Sequence, residues 1–202
     1  MKKYLSLALA LVMCLSLMSI PALALELPYW ETDILGLIPD NLKGEDMEKA
    51  ITRAEFAAVA VKTYEVLSET AAIPEANNPF VDTNDVEVLK AYNLGIITGV
   101  AADRFDPDTL LNREQMATIL ARVYKKIVHG DVNFPLSPLE QNSFEDDTDI
   151  SAWARDSVFF MFANGLIHGM SDNKFEPYTN ETRGLSITIA ARMVYFTIDS
   201  LK

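Results

Sequence analysis

Apolar positions recur along this chain at helical spacing, and the same pattern returns three times. Counting from Thr52, Asn112 and Thr182, offsets 4, 7, 8 and 11 fall on Phe56, Val59, Ala60 and Thr63, on Met116, Ile119, Leu120 and Val123, and on Ser186, Ile189, Ala190 and Met193. That spacing draws a single stripe down one helix face. A basic residue recurs at offset 10, as Lys62, Arg122 and Arg192. Upstream of each helix a shorter apolar stretch ends at a glycine: Leu35-Gly36-Leu37-Ile38, Leu94-Gly95-Ile96-Ile97 and Asn164-Gly165-Leu166-Ile167. A glycine there can take the left-handed conformation that closes a helix. In the third copy this first helix is expected over about residues 151–164, with Trp153, Val158, Met161 and Phe162 on or near one face.

The copies align in detail. Phe105-Asp106-Pro107 and Phe175-Glu176-Pro177 lie 70 positions apart, as do Asn112-Arg113 and Thr182-Arg183. Phe80-Val81-Asp82 and Phe144-Glu145-Asp146 lie 64 apart, which places six extra residues in the third copy's first helix. Thr52-Arg53-Ala54-Glu55 reads as a capping box, Asn112 with Gln115 as a weaker one, and Thr182 with Leu185 as half of one. Alternating patterns are scarce, so the fold class is all-α. Each unit is helix, loop, helix, and no unit can bury its stripe alone. Stretches 68–78 and 129–141, with Pro74, Gly130, Pro135 and Pro138, link the units.

Residues 1–24 read as an export signal. Lys2 and Lys3 precede an uncharged apolar run over 4–20, then Pro21 and the small residues Ala22 and Ala24. Cleavage there would remove Cys14, the one cysteine, and move the formal charge from −12 to −14. So acidic a chain is repelled at long range by nucleic acid and by anionic lipid, and neither is expected as a partner. The remainder, 25–202, is expected to be one domain: repeat one about 27–68, repeat two about 79–128, repeat three about 143–199.

Taken in order, these motifs resemble the S-layer homology repeats of bacterial envelopes. Ile51-Thr52-Arg53-Ala54-Glu55-Phe56 is similar to the family's signature hexad. The Phe-x-Asp openings, the Gly-x-Ile-x-Gly turns and Phe-x-Pro complete the pattern. The resemblance implies a pseudo-threefold, three-pronged helical spindle whose grooves hold a peptidoglycan-linked secondary cell-wall polysaccharide, often through a pyruvylated sugar. It further implies a secreted protein associated with the cell wall. Such modules usually anchor a cargo domain, and none is seen here. Repeat one lacks Phe-x-Asp and Phe-x-Pro, and repeat three reads Thr-Arg-Gly-Leu, so the alternative is a degenerate envelope scaffold for other proteins.

The recurring Arg53, Arg113 and Arg183 carry the chemistry. Each lies in a helix's first turn, where free N–H groups already favour an anion, and a guanidinium adds a fork for a carboxylate. Two readings stay open: contact with a polymer carboxylate, or pairing with a carboxylate of a neighbouring unit such as Asp82 or Asp146. Of the two preserved sites, Arg53 and Arg113 are expected to matter more for the polymer than Arg183. Glu55 is grouped with them. Gly99 and Gly169 suit either a close sugar or a tight turn, and Trp153 either a sugar stack or the core. The acidic run Glu145, Asp146, Asp147 and Asp149 lacks an EF-hand's central glycine and terminal glutamate, and reads as a solvated turn capping a helix at Ser151. His129 and His168 are isolated, so no metal is expected. No Gly-x-Ser-x-Gly, metalloprotease pair or phosphate loop is present. The chain therefore reads as a non-enzyme, without catalytic residues or cofactor.

Overall fold

Each long helix starts where its cap predicts. The computed structural model describes residues 35–128 and 144–200. The export segment, Trp30 and the whole second linker with His129 lie outside them. Helices α1 (Arg53–Ser68), α2 (Val86–Asn93), α3 (Arg113–Ile127), α4 (Arg155–Ala163) and α5 (Arg183–Ser200) account for the regular structure, and no strand occurs among the described residues. Thr52 and Glu55 make both halves of a capping box, as do Asn112 and Gln115. At α5 only one half forms, with the Leu185 N–H donating to Thr182 Oγ1 at 3.2 Å. The helices α2 and α4 close at Gly95 and Gly165, at φ +73° and +65°. An L side chain there would be strained, which is why glycine ends both.

The stripes meet in one core. Phe56, Val59, Met116, Ile119, Leu120, Ile189 and Met193 are buried, and α1, α3 and α5 pack on one another. Each fully buried large side chain contributes about 1.5–3 kcal/mol relative to exposure. The short helices add a second arrangement: α2 packs on α1 and α4 on α3, each on the long helix that precedes it in the chain.

A closed backbone ring fixes the three helix starts. Ile51 N–H donates to Glu181 O at 2.9 Å, Glu181 N–H to Leu111 O at 3.2 Å, and Leu111 N–H to Ile51 O at 3.0 Å. One residue into each helix the cycle repeats: Arg53 N–H to Thr109 O, Arg113 N–H to Thr179 O and Arg183 N–H to Lys49 O, at 2.9, 3.0 and 2.9 Å. The orphan donors of each helix start are thus satisfied by the turn of the next unit, the third closing on the first.

Two expectations need correction. Helix α4 begins at Arg155, not near Ser151, and has no side-chain cap. The turn before it is pinned instead by Glu114, whose carboxylate accepts from Ser151 N and Oγ at 3.0 and 2.9 Å. The acidic run is solvated only in part: Glu145 and Asp149 are exposed, whereas Asp147 is buried and pairs with Arg155 at 2.6 Å.

Candidate functional site

The Phe-x-Asp aspartates hold backbone, and do not pair with the three helix-start arginines. Asp82 accepts from the N–H groups of Phe105 and Asp106, each at 2.9 Å. Those two donors hold its carboxyl below the usual range. Asp146 does the same for Phe175 and Glu176, each at 2.7 Å. Asp106 and Glu176 both sit at φ +57°, so each carboxylate fastens a left-handed corner. The phenylalanines of the paired motifs touch, Phe80 with Phe105 at 5.5 Å and Phe144 with Phe175 at 5.4 Å between ring centres.

Each corner then receives an arginine from the preceding long helix. Arg53 lies over the Phe105 ring at 4.6 Å and donates from Nε to Phe105 O at 2.9 Å and from Nη2 to Thr98 O at 3.3 Å. Arg113 repeats this on Phe175, ring at 4.9 Å, with Nε to Phe175 O and Nη2 to His168 O both at 2.8 Å. Arg183 turns toward the first unit, with Nη1 to Asp46 O at 3.2 Å.

Beyond that shared frame the three differ in what faces the guanidinium. Arg113 is ion-paired with Glu181, and the two are only 2% and 4% exposed. Burial pushes the Glu181 carboxyl up, and Arg113 pulls it back. Arg183 is held by both oxygens of Glu55, at 3.2 and 2.5 Å, and by Glu45 at 3.4 Å. The Glu55 hydrogen bond raises its affinity for the proton. No carboxylate lies within ion-pairing distance of Arg53 among the described residues, and burial lowers its proton affinity against the weaker pull of Asp106 and Asp82. Internal pairing is therefore real at two positions, through Glu181 and Glu55 and not through Asp82 or Asp146.

Arg53 opens on a cleft of about 440 Å³ shared with Thr98, Gly99, Gln115, Arg122 and Trp153, and no acidic residue lines it among the described residues. The size lies within the usual range of small-ligand pockets, about 300–1,000 Å³. Trp153 is 57% exposed, so of its two readings the core is the one excluded. It stands in the turn before α4 because that helix starts late. Gly99 is dictated by its own turn: a Cβ would lie 2.6 Å from the carbonyls of Ala101 and Arg104. Gly169 has a looser version, with Lys174 O and Phe144 each 3.2 Å from such a Cβ. Glu55 is engaged by Arg183 and by the Thr52 N–H, at 3.0 Å.

Sequence reasoning missed Glu181 and gave Arg122 no role. Glu181 was visible as an outlier, since the matching positions before the other helix starts are Ile51 and Leu111. Among the described residues there is no group of His, Cys, Asp and Glu that could hold a metal, and no helix long and apolar enough to cross a membrane.

A ring of helix starts, each lodging an arginine in the next unit's corner, defines a helical repeat module with a cationic cleft. Residues 87–117 and 143–184 match the S-layer homology domain. Arg113 and Arg183 fall inside them. An endoglucanase of Bacillus sp. (strain KSM-635) is 28% identical over 149 residues, covering 72% of this chain and 15% of that protein. The surface-layer 125 kDa protein of Lysinibacillus sphaericus is 28% identical over 140 residues, 65% of this chain and 10% of its own. Cell surface glycoprotein 1 of Acetivibrio thermocellus is 23% identical over 150 residues, 72% of this chain and 6% of its own. The chain thus spans between 6% and 15% of these relatives. The S-layer homology domain is a cell-wall anchoring module and is not itself catalytic.

Proposed function

We propose that this protein is a non-catalytic module that attaches to a secondary cell-wall glycopolymer, taking a carboxylate of the polymer, such as that of a pyruvylated sugar, on Arg53. The observation that carries this reading is an arginine with no carboxylate partner in a cleft without acids, while both related arginines are already paired. Its Nε and Nη2 are spent on carbonyl oxygens, which fixes the fork and leaves Nη1 for an incoming anion. Trp153 supplies an exposed aromatic face for a sugar ring beside it. The location that follows is outside the cell, on the wall, and the export signal over 1–24 serves it.

Cosedimentation with purified walls, before and after extraction of the secondary polymer, tests this reading. Binding should be lost with the polymer, and Arg53→Lys should recover only part of what Arg53→Ala loses, because a point charge lacks the fork. Wall binding that survives extraction, or that ignores Arg53, would favour the second reading. That reading, a scaffold for other envelope proteins, draws on the self-pairing of Arg113 and Arg183, which withdraws two of three stations from any polymer.

A further inference from the structure

Arg122 is a half-buried cation with little among the described residues to hold it. It stands two turns into α3, half-buried, and its guanidinium makes one hydrogen bond, from Nη1 to Ile96 O at 3.4 Å. No carboxylate lies within ion-pairing distance of it among the described residues. Burial alone lowers its affinity for the proton, with no opposing charge to restore it. Its counterparts at the same offset are placed differently: Lys62 lies 3.7 Å from Glu65, and Arg192 is exposed. A cation taken partly out of water without a partner costs free energy that an anion would offset.

Arg122 lines the same cleft as Arg53. It also lines a second cleft, of about 530 Å³, with Tyr64, Gly95, Ile96, Lys125 and Lys126, again with no acid among the described lining residues. The two lysines occupy the last turn of α3, where a helix dipole favours cations without any ligand. That account does not reach Arg122, which sits earlier on the helix and faces both clefts. In a chain of net charge −12, two clefts without an acid among their described lining residues share Arg122, one reaching Arg53 and the other Lys125 and Lys126.

We propose that the cleft holds two negative charges at once, one on Arg53 and a second on Arg122, so that the polymer unit it selects carries two acidic groups. This rests on the polymer reading above and names the ligand class more narrowly: a dianionic saccharide unit in place of a single terminal carboxylate.

Two probes separate these possibilities. One is the methyl glycoside of a sugar bearing one pyruvate ketal, with a single charge. The other is a disaccharide joining that sugar to glucuronic acid, with two. Calorimetric titration of the chain should show the two-charge probe binding about tenfold tighter or more, a margin of about 1.4 kcal/mol. Arg122→Gln should collapse that ratio to within about twofold of unity, while Arg122→Lys keeps part of it. Arg53→Gln should weaken both probes, and Arg192→Gln, on the exposed counterpart, should change neither. A ratio that survives Arg122→Gln overturns the second site, and polymer-dependent wall binding would still uphold the first. If walls bind but neither probe does, the reading moves to walls: Arg122→Gln must then weaken wall binding and flatten its salt dependence, and equality with wild type overturns the proposal. A wild type that binds neither probes nor walls overturns both proposals together. Melting curves for each variant confirm that a loss of binding is not a loss of fold.

Discussion

Arg53 and Arg113 occupy the same position in the first turn of two related helices. Each lies over the phenylalanine of the next corner and donates Nε to that residue's carbonyl. They differ in what faces the guanidinium. The residue before the next helix cap is Leu111 at the first corner and Glu181 at the second. Glu181 turns Arg113 into a buried structural pair, whereas Leu111 leaves Arg53 looking into an open cleft. One frame thus ends in a buried ion pair or on an open cleft, depending on whether the chain supplies its own carboxylate. Arg183 shows the same outcome by another route, with Glu55 reaching across from the first helix.

The largest effect should come from the locked station. Arg113→Ala strands a buried Glu181, and unfolding in urea should show a loss of about 3–5 kcal/mol. Replacing the pair together, Arg113→Met with Glu181→Leu, should recover most of that loss. A single mutant as stable as wild type would break the contrast at once.

Next in size is the open station. Arg53→Ala should lower wall affinity by about 1.5–3 kcal/mol, roughly tenfold or more, measured by cosedimentation of folded protein. Its melting temperature should fall much less than that of Arg113→Ala, since no buried charge is left behind.

The corners themselves provide a smaller, pH-dependent test. Asp82 is held below its ordinary value by the N–H groups of Phe105 and Asp106. Because the folded value is the lower one, the stabilisation is present above the unfolded carboxyl value of about 3.9 and is lost as pH falls through the lowered folded value. Stability curves for Asp82→Asn should therefore converge with wild type in acid and separate above pH 4 or so. Parallel curves at all pH values would show that the carboxylate does not anchor the corner.

The smallest effect compares the caps. Thr52→Ala removes half of a complete box and should cost about 1 kcal/mol, whereas Thr182→Ala, where the second half is absent, should cost less. Equal losses would mean that the reciprocal bond at Glu55 adds nothing.

Much of the fold was legible before any coordinates. The apolar stripes of α1, α3 and α5 are buried where their spacing placed them, Gly95 and Gly165 close the short helices, and the caps start the long ones. These features are local: a helix face, a left-handed corner and a cap are each set by residues within a few positions of one another. The start of α4 was misread because the turn before it is held from 37 residues away by Glu114, and Trp153, expected on that helix, lies in this turn.

The candidate site divides along the same line. The sequence alone determined that three arginines recur at helix starts, and that Phe-x-Asp and Phe-x-Pro accompany two of the three copies. Only the tertiary structure decided which arginines pair with a carboxylate and which one faces a cleft. That depends on Glu181, Glu55 and Arg122 approaching guanidinium groups or clefts across the closed ring, and Glu55 meets Arg183 over a separation of 128 residues. Charge pairing falls off over a few ångströms in space and is indifferent to distance along the chain. Spacing in the sequence could therefore count the arginines, and only their packing could tell them apart.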